Sequence, residues 1–296
     1  MDRRTALKIL ATGAGISLLG TGFYLYGNKM EKLKPKDDRI PADLHVHLLR
    51  ETDRSKLESR LGSLRLNLSQ PGLVGLTTNS ISNKLLSYYD IKDYFGKDNL
   101  GFKEIDPGIL GELSLGYNTG YVLNSQEVMV EHHISALGCK EKITAKDSFE
   151  AVKEIHKQGG IAILNHPYVV PGGMTRYRLI NKEEDTRINE LAEVVDEVES
   201  FNGQCISLIP YIIDMEEANE KAKRFAEVHS FKGIAASDSH FRLEQILSSG
   251  IYIKKDNLNF KKLKEYIRNG EFESYGNGVN RASFLRGHFS WLEYVI

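Results

Sequence analysis

The chain has 296 residues, 39 Lys+Arg against 40 Asp+Glu, two cysteines and 41% hydrophobic residues. That length fits one large α/β domain or two modest ones, with a substantial core, and a net charge of −1 excludes the basic footprint of a sequence-independent nucleic-acid binder. Cys139 and Cys205 are too few for a disulfide framework or a Cys-rich zinc site.

The first thirty residues depart from that average. MDRRTALK is basic, and Ile9–Gly27 then runs without a charge, the layout of an export signal. Arg3-Arg4-Thr5-Ala6-Leu7-Lys8 resembles a twin-arginine signal, in which paired arginines precede an apolar residue and often a Lys. The uncharged run of about 19 residues is also just long enough to span a bilayer. No A-x-A site is evident after Gly20 and no lipobox cysteine exists. A cleaved signal, an uncleaved membrane anchor and an ordinary buried helix therefore stand as readings of residues 1–30, and the first two place the rest outside the cytoplasm. Beyond residue 30 the chain holds 35 basic and 39 acidic residues, a balance of −4.

Residues 31–41 (EKLKPKDDRIP) are charged and Pro-punctuated and read as a linker. Ala42–His47 is strand-like, Arg54–Leu68 has helical periodicity, and Leu73–Thr77 is a short apolar strand. Asn83–Phe95 reads as helix, residues 100–120 as irregular, and Tyr121–Val130 and Ile134–Leu137 as strands. Ser148–Gln158 is a helix closed by Gly159-Gly160, followed by the strand Ile161–Leu164 and a long loop over 168–183. Helix is expected at Glu184–Val195, Glu216–His229 and Leu258–Arg268, and strand at Val195–Phe201 and Ile234–Ser237. Short strands alternating with longer helices indicate a parallel α/β architecture, whose chemistry gathers at the C-terminal ends of the strands.

Several of those ends carry metal-ligand residue types. In Asp43-Leu44-His45-Val46-His47 positions i and i+2 of a strand share a face, so His45 and His47 point together. Ile161–Leu164 runs into Asn165-His166-Pro167, and the Pro stops the strand. Gly233–Ser237 runs into Asp238-Ser239-His240, again two ligand types on one face. Tyr121–Val130 carries Glu127 in an otherwise uncharged strand ahead of His132-His133. A buried Glu is expensive unless paired with a cation. Imidazole and carboxylate without thiolate suit Zn, Mn or Fe.

These residues occur in the order of a known family. His45-x-His47, Glu127, His133 within HHISALG, His166-Pro167 after a Gly-Gly strand, Glu199-Ser200-Phe201-Asn202 and Ser237-Asp238-Ser239-His240 resemble the motifs of the PHP family, the polymerase-and-histidinol-phosphatase-type metallophosphoesterases. The resemblance covers about residues 40–275 and is closest over Ser148–Pro167. It implies a distorted (βα) barrel, seven-stranded and TIM-like, over residues 42–296, preceded by the N-terminal signal or anchor helix. It further implies that His45, His47, Glu127 and Asp238 hold one divalent metal, with Glu127 bridging to a second held by His133 and His166. His240 would serve a third metal or hydrogen-bond the substrate. Where the family commonly has Thr-Asp-His, this chain has Thr78-Asn79-Ser80, so two metals are expected. Glu131 is an alternative to Glu127, and His132 to His133.

The implied reaction is attack on a phosphoester by a hydroxide bridged between two metals, with Asp238 holding a proton of the nucleophilic water and His240 beside it. Arg176, Arg178 and Arg242 are candidates to clamp an anionic substrate. HHISALG is closest to the carbamate- and ester-hydrolysing branch of the family, so a metal-dependent carboxyl-ester or carbamate hydrolase is the second reading. A binding module that has lost its chemistry is the third. His156, His229 and His288 lack partner motifs, and the cysteines read as buried small residues, not nucleophiles.

Overall fold

The computed structural model describes residues 38–50, 71–79, 84–96, 101–115, 118–169, 182–209, 213–240, 242–279 and 283–284. The readings made for residues 1–30, for Arg54–Leu68 and for the loop arginines Arg176 and Arg178 lie outside them. Among the described residues no helix is long and apolar enough to cross a membrane.

Among the described residues fourteen strands and five helices alternate. The strands are β1 (Arg39–His47), β2 (Leu73–Asn79), β3 (Phe102–Asp106), β4 (Leu110–Leu115), β5 (Asn118–Val128), β6 (Ile134–Leu137), β7 (Ile161–Leu164), β8 (Glu197–Asn202), β9 (Ser207–Ile209), β10 (Ile213–Asp214), β11 (Ile234–Ala236), β12 (Ser239–His240), β13 (Ser249–Lys254) and β14 (Glu273–Gly276). The helices are α1 (Tyr88–Phe95), α2 (Ser148–Lys157), α3 (Lys182–Ala192), α4 (Glu216–Val228) and α5 (Phe260–Arg268).

Twelve strands form one sheet in the order β11-β8-β7-β6-β5-β2-β1-β13-β14, with β3–β4 attached to β5 and β12 to β1. Strand β11 packs back against β13 and β14, so the sheet curls into a nearly closed barrel. It is mixed, and this corrects the all-parallel expectation. The sets β1–β2–β5 and β7–β8–β11 are parallel, but β5–β6–β7 and β1–β13–β14 are antiparallel. Only a short loop separates β5 from β6, too short for the crossover that a parallel pair requires.

Three further expectations change. The linker ends earlier, because Arg39, Ile40 and Pro41 already pair with β13 and Ile40 is fully buried. The stretch 100–120 contains the β3–β4 hairpin, turned at Asp106-Pro107-Gly108 with Gly108 at φ +75, a conformation glycine adopts without a Cβ clash. Strands β13 and β14 were not anticipated, although SGIYIK is rich in β-branched and aromatic residues.

The helices obey ordinary terminal chemistry. Asp147 caps α2 by accepting from the Glu150 N–H, and Ser87 forms a capping box with Asp90 on α1. Asn259 caps α5, whose Phe260, Leu263, Tyr266 and Ile267 are all buried. That stripe joins Ile40, Leu123 and Ile251 of the sheet in one apolar cluster, and each such side chain is worth about 2 kcal/mol of transfer energy.

At the start of β8, Glu197 is buried and accepts from the Val198 and Gly233 N–H groups at 3.0 and 3.1 Å. Burial raises its carboxyl to about 7 against these hydrogen bonds. The folded state therefore holds this proton more tightly than the unfolded chain. The stabilisation is full below the ordinary carboxylate range and is lost as pH rises toward 7. Relative to wild type, Glu197→Gln should gain roughly 3 kcal/mol between pH 4 and pH 8, at about 1.4 kcal/mol per pKa unit. Urea unfolding at both pH values measures it, and a pH-independent difference would refute it.

Candidate metal centre

The candidate metal ligands that this barrel buries collect at one end of its strands. His45 and His47 close β1, Glu127 lies near the end of β5, His166 follows β7, and Asp238 and His240 follow β11. The protein spends backbone strain here: His166 and Asp238 have φ of +25 and +49, unfavourable for residues with a Cβ.

Glu127 is the hub. Its Oε1 lies 2.8 Å from His133 Nδ1, 3.3 Å from His166 Nε2 and 3.7 Å from His45 Nε2, and its Oε2 lies 3.4 Å from His47 Nε2. The His45 and His47 Nε2 atoms are 3.1 Å apart. Asp238 Oδ1 approaches them at 3.5 and 3.6 Å. His47 donates its Nδ1–H to the Thr77 carbonyl at 2.9 Å, which turns Nε2 inward. His240 donates Nδ1–H to the Asp238 carbonyl at 2.7 Å, and its ring lies 5.4 Å from that of His47.

Two sets of three donors result, His45–His47–Glu127 and Glu127–His133–His166. In each, the ligand atoms lie within 4.8 Å of one another, and the sets share Glu127. Neither contains sulfur, and N/O donor sets of this kind suit Zn, Mn or Fe.

The electrostatics agree with a cation in the middle. Burial opposes charge on Asp238, yet the imidazoles of His45, His240, His166 and His47 outweigh it and bring the carboxyl down to about 2. Burial likewise opposes Glu127, and His133 above all pulls it well below the usual range. Burial disfavours the His45 imidazolium, but Asp238, Glu199 and Glu127 raise it to about 10. Ionised carboxylates around a protonated imidazole make a cavity that demands positive charge. A divalent cation held by these residues would supply it, with the His45 proton released to solvent.

The other sequence candidates are outside the two donor sets. Glu131 pairs with Arg187 at 2.7 Å and accepts from the Ser148 N–H. The His132 backbone bonds Ser148 Oγ in both directions. Arg242 precedes a short 3₁₀ turn, and its carbonyl accepts from Ser239 Oγ. His156 contacts Asp196 at 2.9 Å, and His229 contacts Asn189 at 2.8 Å. Both cysteines are buried, and burial pushes the Cys139 thiol up to about 12, against a nucleophilic role. One group had no role in the sequence reading. Glu199 is fully buried against His45 and His166. The signal that marked Glu127, an acid inside an apolar strand, was present there too.

Residues 216–272 match a family model described as PHP-associated. An uncharacterized protein of Methanocaldococcus jannaschii is 32% identical over 123 residues, 41% of this chain and 46% of that protein, so the match spans less than half of the relative's length. The crystal structure of PsfC from Pseudomonas syringae is 12% identical and superposes with a TM-score of 0.58, covering 88% of this chain and all of that one. A two-domain protein from Bacteroides vulgatus, containing a predicted PHP-like metal-dependent phosphoesterase, is 14% identical, with a TM-score of 0.48 over 89% of this chain and 74% of its own. The PHP-associated match spans α4 through α5 and so includes the Asp238-Ser239-His240 exit of the centre.

Proposed function

We propose that the chain is a metal-dependent hydrolase that cleaves a phosphoester. The observation that carries this reading is the pair of donor sets sharing Glu127, a carboxylate placed to serve two cations at once. Bound divalent cations would act as Lewis acids, lower the pKa of a water and neutralise phosphoryl charge.

The chain's own residues have separate tasks. His45, His47, Glu127 and Asp238 would hold one cation, and Glu127, His133 and His166 the other. Asp238 is the catalytic candidate for holding a proton of the attacking water, since its Oδ1 lies at the centre, 3.5 and 3.6 Å from the His45 and His47 Nε2 atoms. His240 has Nδ1 engaged with the Asp238 carbonyl, so Nε2 is the atom through which it would meet a substrate oxygen or a third cation. Arg242 and, beyond Pro167 in the sequence, Arg176 and Arg178 are proposed to bind the anionic group. No nucleic acid is part of this proposal. Export or anchoring through residues 1–30 is, on the strength of the basic start and the uncharged run that follows.

The test is to load the full-length chain with Zn²⁺ or Mn²⁺, count bound metal, and assay phosphomonoester, phosphodiester, carboxyl-ester and carbamate substrates. About two metals per chain and phosphoester turnover are expected. Turnover of the carboxyl ester or carbamate alone would shift the reaction class, and bound metal without turnover would favour a binding module. Absence of stoichiometric metal in a folded sample would overturn the proposal. His166→Ala removes one donor of the second set and should lower whichever activity is present by about 100-fold or more, with bound metal falling toward one per chain.

A further inference from the structure

Strand β8 lies between the two strands whose exits are most strained. It pairs with β7 on one side and β11 on the other, and these lead to His166 and Asp238 at positive φ. None of the ligands assigned above comes from β8. Its C-terminal end nevertheless buries a carboxylate and an amide, Glu199 and Asn202, each at 2% exposure.

Their contacts reach both neighbours. Glu199 Oε2 accepts the His166 N–H at 2.7 Å and an Asn202 Nδ2–H at 3.2 Å. Glu199 Oε1 lies 3.4 Å from His45 Nδ1, the ring nitrogen opposite the one that faces His47, Glu127 and Asp238. Asn202 Nδ2 also donates to Asp238 Oδ2 at 3.1 Å, leaving Oδ1 to approach His45 and His47. Asn202 is itself fixed: its N–H donates to Asn219 Oδ1, its carbonyl accepts from Asn219 Nδ2, and its Oδ1 accepts from the Gln204 N–H.

We infer that Glu199 and Asn202 act together as positioning residues that preset three ligands, His45, His166 and Asp238, for metal. The inference rests on the metal-dependent reading of the site. Glu199 fixes the His45 tautomer with Nδ1 protonated and Nε2 presented to the cation, the arrangement by which an outer carboxylate orients a ligating histidine. The same carboxylate holds the His166 backbone in its unfavourable conformation. Asn202 selects which Asp238 oxygen faces the centre. Glu199 is not a ligand in this scheme, since Oε2 is occupied by two N–H donors and Oε1 serves the back of a ligand ring.

The test titrates full-length wild type, Glu199→Gln, Glu199→Asp and Asn202→Ala with Zn²⁺ alone, and measures the melting temperature of each without metal. Glutamine cannot accept all of the donors that face Glu199: with its oxygen kept toward the His166 and Asn202 N–H groups, its NH₂ faces His45 Nδ1 and favours the tautomer with Nε2 protonated. Glu199→Gln is expected to weaken metal binding 10- to 100-fold with a metal-free melting temperature close to wild type. Glu199→Asp, which keeps the charge, should recover part of that loss. Asn202→Ala should weaken binding severalfold. Wild-type affinity in a folded Glu199→Gln chain would overturn the inference. So would metal-free destabilisation that accounts for the whole loss, or an unfolded Glu199→Gln beside an Asn202→Ala that is unfolded or binds normally. An unfolded Glu199→Gln beside a folded, weakly binding Asn202→Ala supports it. Wild type that binds no Zn²⁺ would instead sink the parent reading, which keeps the two failures distinct.

Discussion

If the centre holds metal as proposed, Glu127→Gln should strip it of most of that metal. The substitution keeps the volume of the side chain but replaces the one oxygen pair that touches His133, His166, His47 and His45 together. An amide offers one acceptor where the carboxylate offers two, and its NH₂ would face imidazole nitrogens that must stay unprotonated to bind a cation. Loss of an outer-shell partner alone typically lowers metal affinity or activity 10- to 100-fold. Loss of the shared ligand should therefore exceed 100-fold in hydrolysis and reduce bound metal well below two per chain. Glu131→Gln provides the contrast, because that carboxylate serves Arg187 and the start of α2 and should leave metal content unchanged. Elemental analysis of both purified variants decides the matter; equal metal content in the two would refute the role given to Glu127.

The residues of the centre were legible because strand chemistry leaves few alternatives for them. An i, i+2 histidine pair in an apolar strand shares a face, and a Pro after His166 must end its strand, so both statements follow from period and sterics. The ionisable residue inside an apolar run marked Glu127 for the same reason, and Glu197 and Glu199 carry that mark as well. What the run does not reveal is which end of the barrel each acid serves. Glu197 sits at the start of β8 with backbone donors, and Glu199 at the end of it with ligands. Asp43 shows the same limit. It begins the Asp-x-His-x-His run, yet it accepts the Ser237 and Leu247 N–H groups and ties β1 to the β11 exit. Pairing direction was out of reach for another reason. The segments that became β3 and β4 take their direction from the Asp106-Pro107-Gly108 turn and from β5, and β13 takes its direction from β1, far away in sequence, as with Arg39 and Lys254; no local period reports either.

Gly75→Ala should disturb the centre from outside it. A Cβ built at Gly75 would lie 2.5 Å from the Leu44 carbonyl oxygen, 2.8 Å from its carbon and 3.0 Å from the Leu44 Cα. All three are backbone atoms of β1, so no side-chain rotation relieves the contact and the strand itself must shift. It would shift where β1 is already irregular: the β1–β2 register slips between Asp43 and Val46, the stretch that carries His45. The next contacts along β2 hold the histidines, since Thr77 Oγ1 accepts from the Val46 N–H and the Thr77 carbonyl accepts from His47 Nδ1. Overpacking of this kind costs about 1–3 kcal/mol, or roughly 2–12 °C in melting temperature for a chain of this size. A displacement of even about 1 Å in a ligand-bearing strand is large for metal geometry, so metal affinity should fall at least tenfold. Gly120→Ala is the matched control: it lies in the neighbouring strand β5, and its Cβ would meet nothing closer than the Gly72 carbonyl oxygen at 3.7 Å. That variant should melt at or above the wild-type temperature, because alanine loses less conformational freedom on folding, and should bind metal as wild type does. If Gly75→Ala matched Gly120→Ala in both measurements, the close approach of β2 to Leu44 would have no part in placing His45 and His47.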